Sequence, residues 1–129
     1  MLLPNDDGRS YTQADLEVLN LLAHPVWVLD MDKKRMFWAN QSALKLVWNA
    51  GSLQELLDRD FASDMTDATD LRLQDLSKRF TRGEVIKEQW TLYPDGQPKV
   101  VGVTSSAIRI DGGRIAGLAE GELPDKDAF

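Results

Sequence analysis

The sequence predicts an α+β fold: a five-stranded antiparallel sheet, short helices grouped on one face, and an N-terminal amphipathic helix. Three observations carry this. Helical spacings and N-cap residues dominate residues 12–82, interrupted by two short apolar runs at 26–29 and 36–39. The last third instead alternates apolar and polar residues between turns of the Asp-Gly type. The 129 residues, 43% hydrophobic and 28% charged, suit one globular domain with its own core.

The elements follow in order. Residues 1–10 are polar, with Pro4 and Gly8, and read as a disordered tail. A helix is expected over 11–23. Thr12 is its N-cap, Asp15 its weak capping-box partner, and Tyr11 with Leu16 a hydrophobic staple. Leu16, Leu19, Leu22 and Ala23 form its apolar stripe, which Val18 and Leu21 widen, and His24-Pro25 ends it. Val26–Leu29 and Met36–Ala39 are β-rich runs that make a hairpin around a polar turn at 30–34. Asn40 caps a short helix over 41–48, for which Gly51 supplies a left-handed end. Ser52 and Glu55 fit a capping box that opens a helix through Leu57. After a stretch rich in Asp and Thr, a helix over 69–82 carries Leu73, Leu76 and Phe80 on one face and stops at Gly83.

The strand over 84–93 puts Ile86, Glu88, Trp90 and Leu92 on one face and Gln89, Thr91 and Tyr93 on the other. Pro94-Asp95-Gly96 turns the chain into a long strand over 99–110. Asp111-Gly112-Gly113 turns it again into a last strand over 114–120. The domain proper is expected over 24–122, with 123–129 a tail or the start of a linker.

Composition excludes several classes of function. With no Cys there is no disulfide framework, thiolate metal site or cysteinyl–flavin adduct, and a single His forms no His-rich metal centre. A net charge of −6, from 15 basic and 21 acidic residues, argues against nucleic-acid binding. Lys33-Lys34-Arg35 reads as a solvated turn. No apolar stretch approaches the roughly 20 residues of a membrane span, and the start lacks the pattern of a signal peptide, so the expected location is cytoplasmic with no membrane contact. Asp58, Asp60, Asp64, Asp67, Asp70 and Asp75 lack the spacing of a calcium loop and read as a solvated face. Asn40-Gln41-Ser42 matches a glycosylation sequon, but Asn40 reads as a helix cap.

The order of motifs resembles a PAS domain over about residues 23–122. The matching pieces are Asp30 at the end of the first strand, Trp38-Ala39-Asn40 running into Gln41-Ser42-Ala43-Leu44, and Trp90-Thr91-Leu92-Tyr93-Pro94-Asp95-Gly96. Ile110-Asp111-Gly112-Gly113-Arg114 and the closing Leu118-Ala119-Glu120-Gly121 complete them. The region from Phe61 to Arg82 looks like a subgroup found near the N-terminus of bacterial multidomain signalling proteins.

The resemblance implies a sensory and dimerisation module of a signal-transduction protein, with no catalysis of its own. It implies a homodimer through Leu16, Leu19, Leu22 and Ala23. It also implies a C-terminal output domain: a diguanylate cyclase, a cyclic-di-GMP phosphodiesterase or a histidine kinase. Asp125 to Phe129 would then begin a connecting helix, and the chain would be a fragment of something longer. In haem-binding PAS domains the ligand stands on the long helix; here residues 69–82 hold no His, which argues against haem. A non-covalent flavin stays open.

Strand alternation and helix faces nominate a pocket. Its candidates are Trp27, Leu29, Trp38 and Leu44 from the first half, then Met65, Leu73, Leu76 and Phe80. Trp90, Leu92, Val103 and Ser105 come from the later strands. The four tryptophans suit either an aromatic ligand pocket or core anchors. Two alternatives remain: a purely structural dimerisation PAS with a filled core, and a cone-shaped enzyme of the ketosteroid isomerase kind. The latter needs a buried base facing an electrophile. Tyr11 and Tyr93, the only tyrosines, occupy unsuitable places, so no catalytic or metal-binding residue is predicted.

Overall fold

The computed structural model describes residues 9–63 and 65–123. The elements run β1 (Ser10–Tyr11), α1 (Gln13–Leu16), a 3-10 segment (Glu17–Leu21), β2 (Val26–Asp30), β3 (Arg35–Ala39), α2 (Gln41–Leu46) and α3 (Leu53–Leu57). After these come α4 (Asp67–Thr81), β4 (Ile86–Leu92), β5 (Lys99–Ile110), a one-turn 3-10 segment (Asp111–Gly113) and β6 (Arg114–Glu122). The expectations for residues 1–8, Asp64 and 124–129 lie outside the described residues.

The strands form a single sheet in the order β3-β2-β6-β5, with β4 and β1 both on the far edge of β5. Five strands pair antiparallel as expected. The sixth, β1, is an addition: Ser10 and Tyr11 pair parallel with Arg109 and Ile110, in residues expected to be tail and helix start.

Helices α2, α3 and α4 pack on one face. Ala43, Leu44 and Val47 of the α2 region and Leu56 of α3 bury against Trp27, Met36, Ala39, Val101 and Ala119. Leu73, Leu76 and Phe80 of α4 bury against Ile86. Residues 11–19 cover the other face, where Leu16 joins Val28, Trp38, Ile110 and Ala116.

The capping residues act as the sequence predicts. Thr12 and Asp15 form a full capping box on α1. Asn40 caps α2 through Ala43 N–H. Helix α4 begins at Asp67, two residues before the expected start, with Thr66 as a cap the sequence reading did not name, accepting from Thr69 N–H. Gly83, at φ +79°, ends α4 in a conformation open to glycine. Two caps differ in detail. Ser52 accepts from Glu55 N–H, but the Glu55 carboxylate reaches Gly51 N–H (2.6 Å). The left-handed residue after α2 is Asn49 (φ +49°) rather than Gly51.

The single helix expected over 11–23 does not form. Only one α-helical turn is present, followed by 3-10 geometry and extended backbone at Leu22. Its groups bond elsewhere. Leu19 C=O accepts from both Leu22 N–H and Asn40 Nδ2, His24 C=O accepts from Asn40 Nδ2, and Asn20 Oδ1 accepts from Gln41 N–H. These bonds dock the segment onto the start of α2, at the expense of the i→i−4 ladder a longer helix would need.

Candidate functional site

A cavity of about 130 Å³ lies between the sheet and α4. Its sheet wall is set by period-two alternation. Trp27 and Leu29 come from β2, Met36 from β3, Val103 and Ser105 from β5, and Gly117 and Ala119 from β6. Leu73, Leu76 and Phe80 of α4 project at helical spacing from the opposite side. Trp90 and Leu92 of β4 form one flank. Trp48, Phe61 and Met65 form another, with Met31 and Thr69 completing the lining. Phe61, Met65, Thr69, Trp90 and Leu92 are only half-buried, so the cavity meets solvent on their side.

Small residues on β6 let the aromatic rings of the lining pack close to the sheet. A Cβ at Gly117 would stand 3.1 Å from the Phe80 ring, and one at Gly121 would stand 2.7 Å from the Trp27 ring. Aromatic edges fix the flank: Trp48 stacks edge-on against Trp27 (5.7 Å, 87°) and against Phe61 (5.4 Å, 83°). The Trp48 Nε1–H is buried without a hydrogen-bond partner among the described residues. Of the buried polar residues among those described, Asn40 and Asp30 are fully engaged. Ser105, 9% exposed and on the cavity wall, has no partner for its hydroxyl among the described residues.

Charged groups surround the cavity, and none of the described ones lines it. Arg72 lies over the Trp90 ring (3.6 Å) and donates to Glu88 (3.1 Å) and Gln89 C=O (2.9 Å). Arg79 reaches Glu84 (3.1 Å) and Glu88 (3.5 Å), so α4 is laced to β4. The Arg82 and Arg79 guanidinium groups hold the Glu84 carboxyl below the usual carboxylate range. The Lys34 ammonium, hydrogen-bonded to Asp70 at the start of α4, does the same for that carboxyl. Asp30, 3% exposed, accepts from the backbone of Asp32 and Lys33 and from Arg114 (2.8 Å). Its hydrogen bond raises the Arg114 pKa further.

Ten of the twelve nominated residues line the cavity: Trp27, Leu29, Met65, Leu73, Leu76, Phe80, Trp90, Leu92, Val103 and Ser105. Trp38 and Leu44 do not. Pairing shifts between Val28 and Leu29: Trp38 stands opposite Val28, Met36 opposite Leu29, and Phe37 is the extra residue. That bulge turns Met36 into the cavity and Trp38 to the opposite face, where it is fully buried beside Leu16. Leu44 is buried in the core under α2, away from the lining.

Met31, Met36, Trp48, Phe61, Thr69, Gly117 and Ala119 were not foreseen in the lining. The small alternating residues Gly117, Ala119 and Gly121 were the legible signal for three inward positions on β6. The proposed dimer stripe is also split. Leu16 is spent inside the molecule (5% exposed) and Leu19 is half-buried, whereas Leu22 is 49% exposed and Ala23 is exposed.

No protein-family model and no curated protein matches the chain. Solved structures do. The PAS domain of nitrogen regulation protein NR(II) from Vibrio parahaemolyticus is similar with a TM-score of 0.60 and 21% identity, over 83% of this chain and 94% of that one. The PAS domain of an HTR-like protein from Haloarcula marismortui gives 0.63 and 23%, over 86% and 96%. A LOV protein from Rhodobacter sphaeroides gives 0.63 and 13%, over 86% and 66%. At these identities the likeness is one of fold, and the fold is that of PAS domains.

Proposed function

We propose that this PAS-fold chain is the sensory module of a bacterial signal-transduction protein and performs no chemistry itself. A small molecule in the cavity biases the packing of α4 against the sheet, and that bias passes to an output domain following residue 122. The output is a histidine kinase, a diguanylate cyclase or a cyclic-di-GMP phosphodiesterase. The observation that supports this best is the cavity between the sheet and α4, lined by Gly117 and Ala119 on one side and Leu73, Leu76 and Phe80 on the other. A module serving only to hold subunits together has no use for such a space.

The module acts as a homodimer through the N-terminal segment. Val18 (63% exposed), Leu21 (85%) and Leu22 (49%) present apolar surface there, beyond the Leu16 contact made within the molecule. Native mass spectrometry of protein purified from cells tests both parts. A dimer with a reproducible extra mass, absent after denaturation, is the expected result. A ligand-free monomer at high concentration would remove the dimer and leave sensing unsupported. A ligand shifts signalling only through different affinity for two states, so identical α4–β4 hydrogen exchange with and without ligand would count against transmission.

A further inference from the structure

We infer that the cavity takes a small uncharged aromatic molecule of a single ring, with one hydroxyl-type substituent seated at Ser105: a phenol-like ligand. This rests on reading the cavity as a ligand site. Size is the first constraint. An engineered apolar protein cavity of about 150 Å³ takes benzene, and this one, at about 130 Å³, is close to it. A tricyclic flavin or a haem is larger than the enclosed space. The walls are the second constraint. An anion or cation entering the cavity would lose its hydration and meet no ionisable side chain of the lining among the described residues. The Trp27–Trp48–Phe61 edges favour a ring over an aliphatic chain.

The substituent follows from two hydroxyls in the lining. Thr69 Oγ1 is already engaged by Thr66 Oγ1 (3.0 Å). Ser105 is nine-tenths buried and its hydroxyl has no partner among the described residues, in contrast to Asp30 and Asn40. The fully enclosed orphan of the described lining is Trp48 Nε1–H; the Ser105 hydroxyl instead opens onto the cavity, where a ligand hydroxyl can bond it.

Phenol, toluene and benzoate are titrated into the full chain and followed by amide chemical shifts, for the wild type and for Ser105→Ala and Leu73→Trp. Phenol and toluene are expected to saturate, with benzoate at least tenfold weaker. Ser105→Ala should weaken phenol roughly fivefold, the worth of one hydrogen bond, and leave toluene unchanged. Leu73→Trp fills the space and should remove both. If that variant fails to fold, Ser105→Ala and benzoate still decide the matter. Benzoate binding as well as phenol, or Ser105→Ala changing both ligands or neither, overturns the inference and leaves the ligand site standing. Failure of all three probes overturns it too, and the sensory reading falls with it only if protein from cells also retains no extra mass.

Discussion

Asn40 joins three segments through one side chain, and its removal can be costed. Its Oδ1 accepts from Val26 N–H (3.0 Å) and Ala43 N–H (2.9 Å), and its Nδ2 donates to Leu19 C=O and His24 C=O (3.0 Å each). The side chain is fully buried. Asn40→Ala removes the cap of α2, worth about 1 kcal/mol. It also leaves the buried Val26 N–H without its acceptor, at about 1–3 kcal/mol. The two carbonyls lie near exposed residues 21–24, where water can replace the lost donor. The sum is about 3 kcal/mol, or a fall in Tm of roughly 12 °C for a domain of this length. Asn40→Ser keeps an oxygen for Ala43 N–H but is too short to span the other segments, so it should cost about 1 kcal/mol less. Urea unfolding followed by fluorescence of the four tryptophans measures both. An Ala variant within about 1 kcal/mol of wild type, or a Ser variant no better than Ala, would refute the reasoning.

Gly121→Ala should destabilise by about 1–3 kcal/mol, because its Cβ meets the buried Trp27 ring at 2.7 Å, and Gly117→Ala by less, at 3.1 Å from Phe80; thermal melts of the pair give the order. Leu16→Ala should cost about 2–4 kcal/mol, whereas Leu21→Lys should leave the monomer within about 0.5 kcal/mol and shift sedimentation towards the monomer; equal losses in stability would contradict the split of the apolar stripe. Asp15 is held below its ordinary pKa chiefly by the Thr12 N–H, Asp70 by Lys34, and Glu84 by Arg82 and Arg79. Their folded values lie below their unfolded ones, so the stability they lend is complete above the unfolded range of about 3.9–4.3 and is lost as pH falls through the lower folded values. The urea midpoint should therefore be higher at pH 7 than at pH 3, with a smaller gap in 1 M salt.

Local chemistry was the legible part of the fold. Thr12, Asn40, Ser52, Gly83 and the turns at 94–96 and 111–113 act within a few residues, so their roles show in the sequence. The inward face of β4 was legible because alternation is undisturbed from Ile86 to Leu92. Alternation failed at β3, where the extra residue Phe37 changes the facing of everything before it. Nothing in Met36-Phe37-Trp38 announces a bulge, and Gln13, whose Nε2 donates to Phe37 C=O (2.8 Å), lies 24 residues away. The N-terminal helix failed for a related reason. Its capping box and apolar spacing are real, but Asn20 and Asn40 draw its C-terminal half towards α2, a competition between segments that periodicity does not encode. Phe61 was missed because it sits in a connection, where neither period assigns a facing, and Trp48 because it lies beyond the end of α2 at Leu46 and not inside the helix expected over 41–48.

The placement of β6 sets the timing of folding. It is the last strand of the described residues, yet it lies inside the sheet with β2 on one side and β5 on the other. During synthesis the β2–β3 hairpin emerges early and has nothing to pair with until residues 114–122 have been made. A chain halted before Arg114 holds an unpaired inner edge on both β2 and β5. The β2–β6 pairs, such as Val26 with Glu120, span most of the chain and place folding among the slower, non-local topologies. Nascent chains are therefore most open to aggregation and chaperone capture just before β6 is complete.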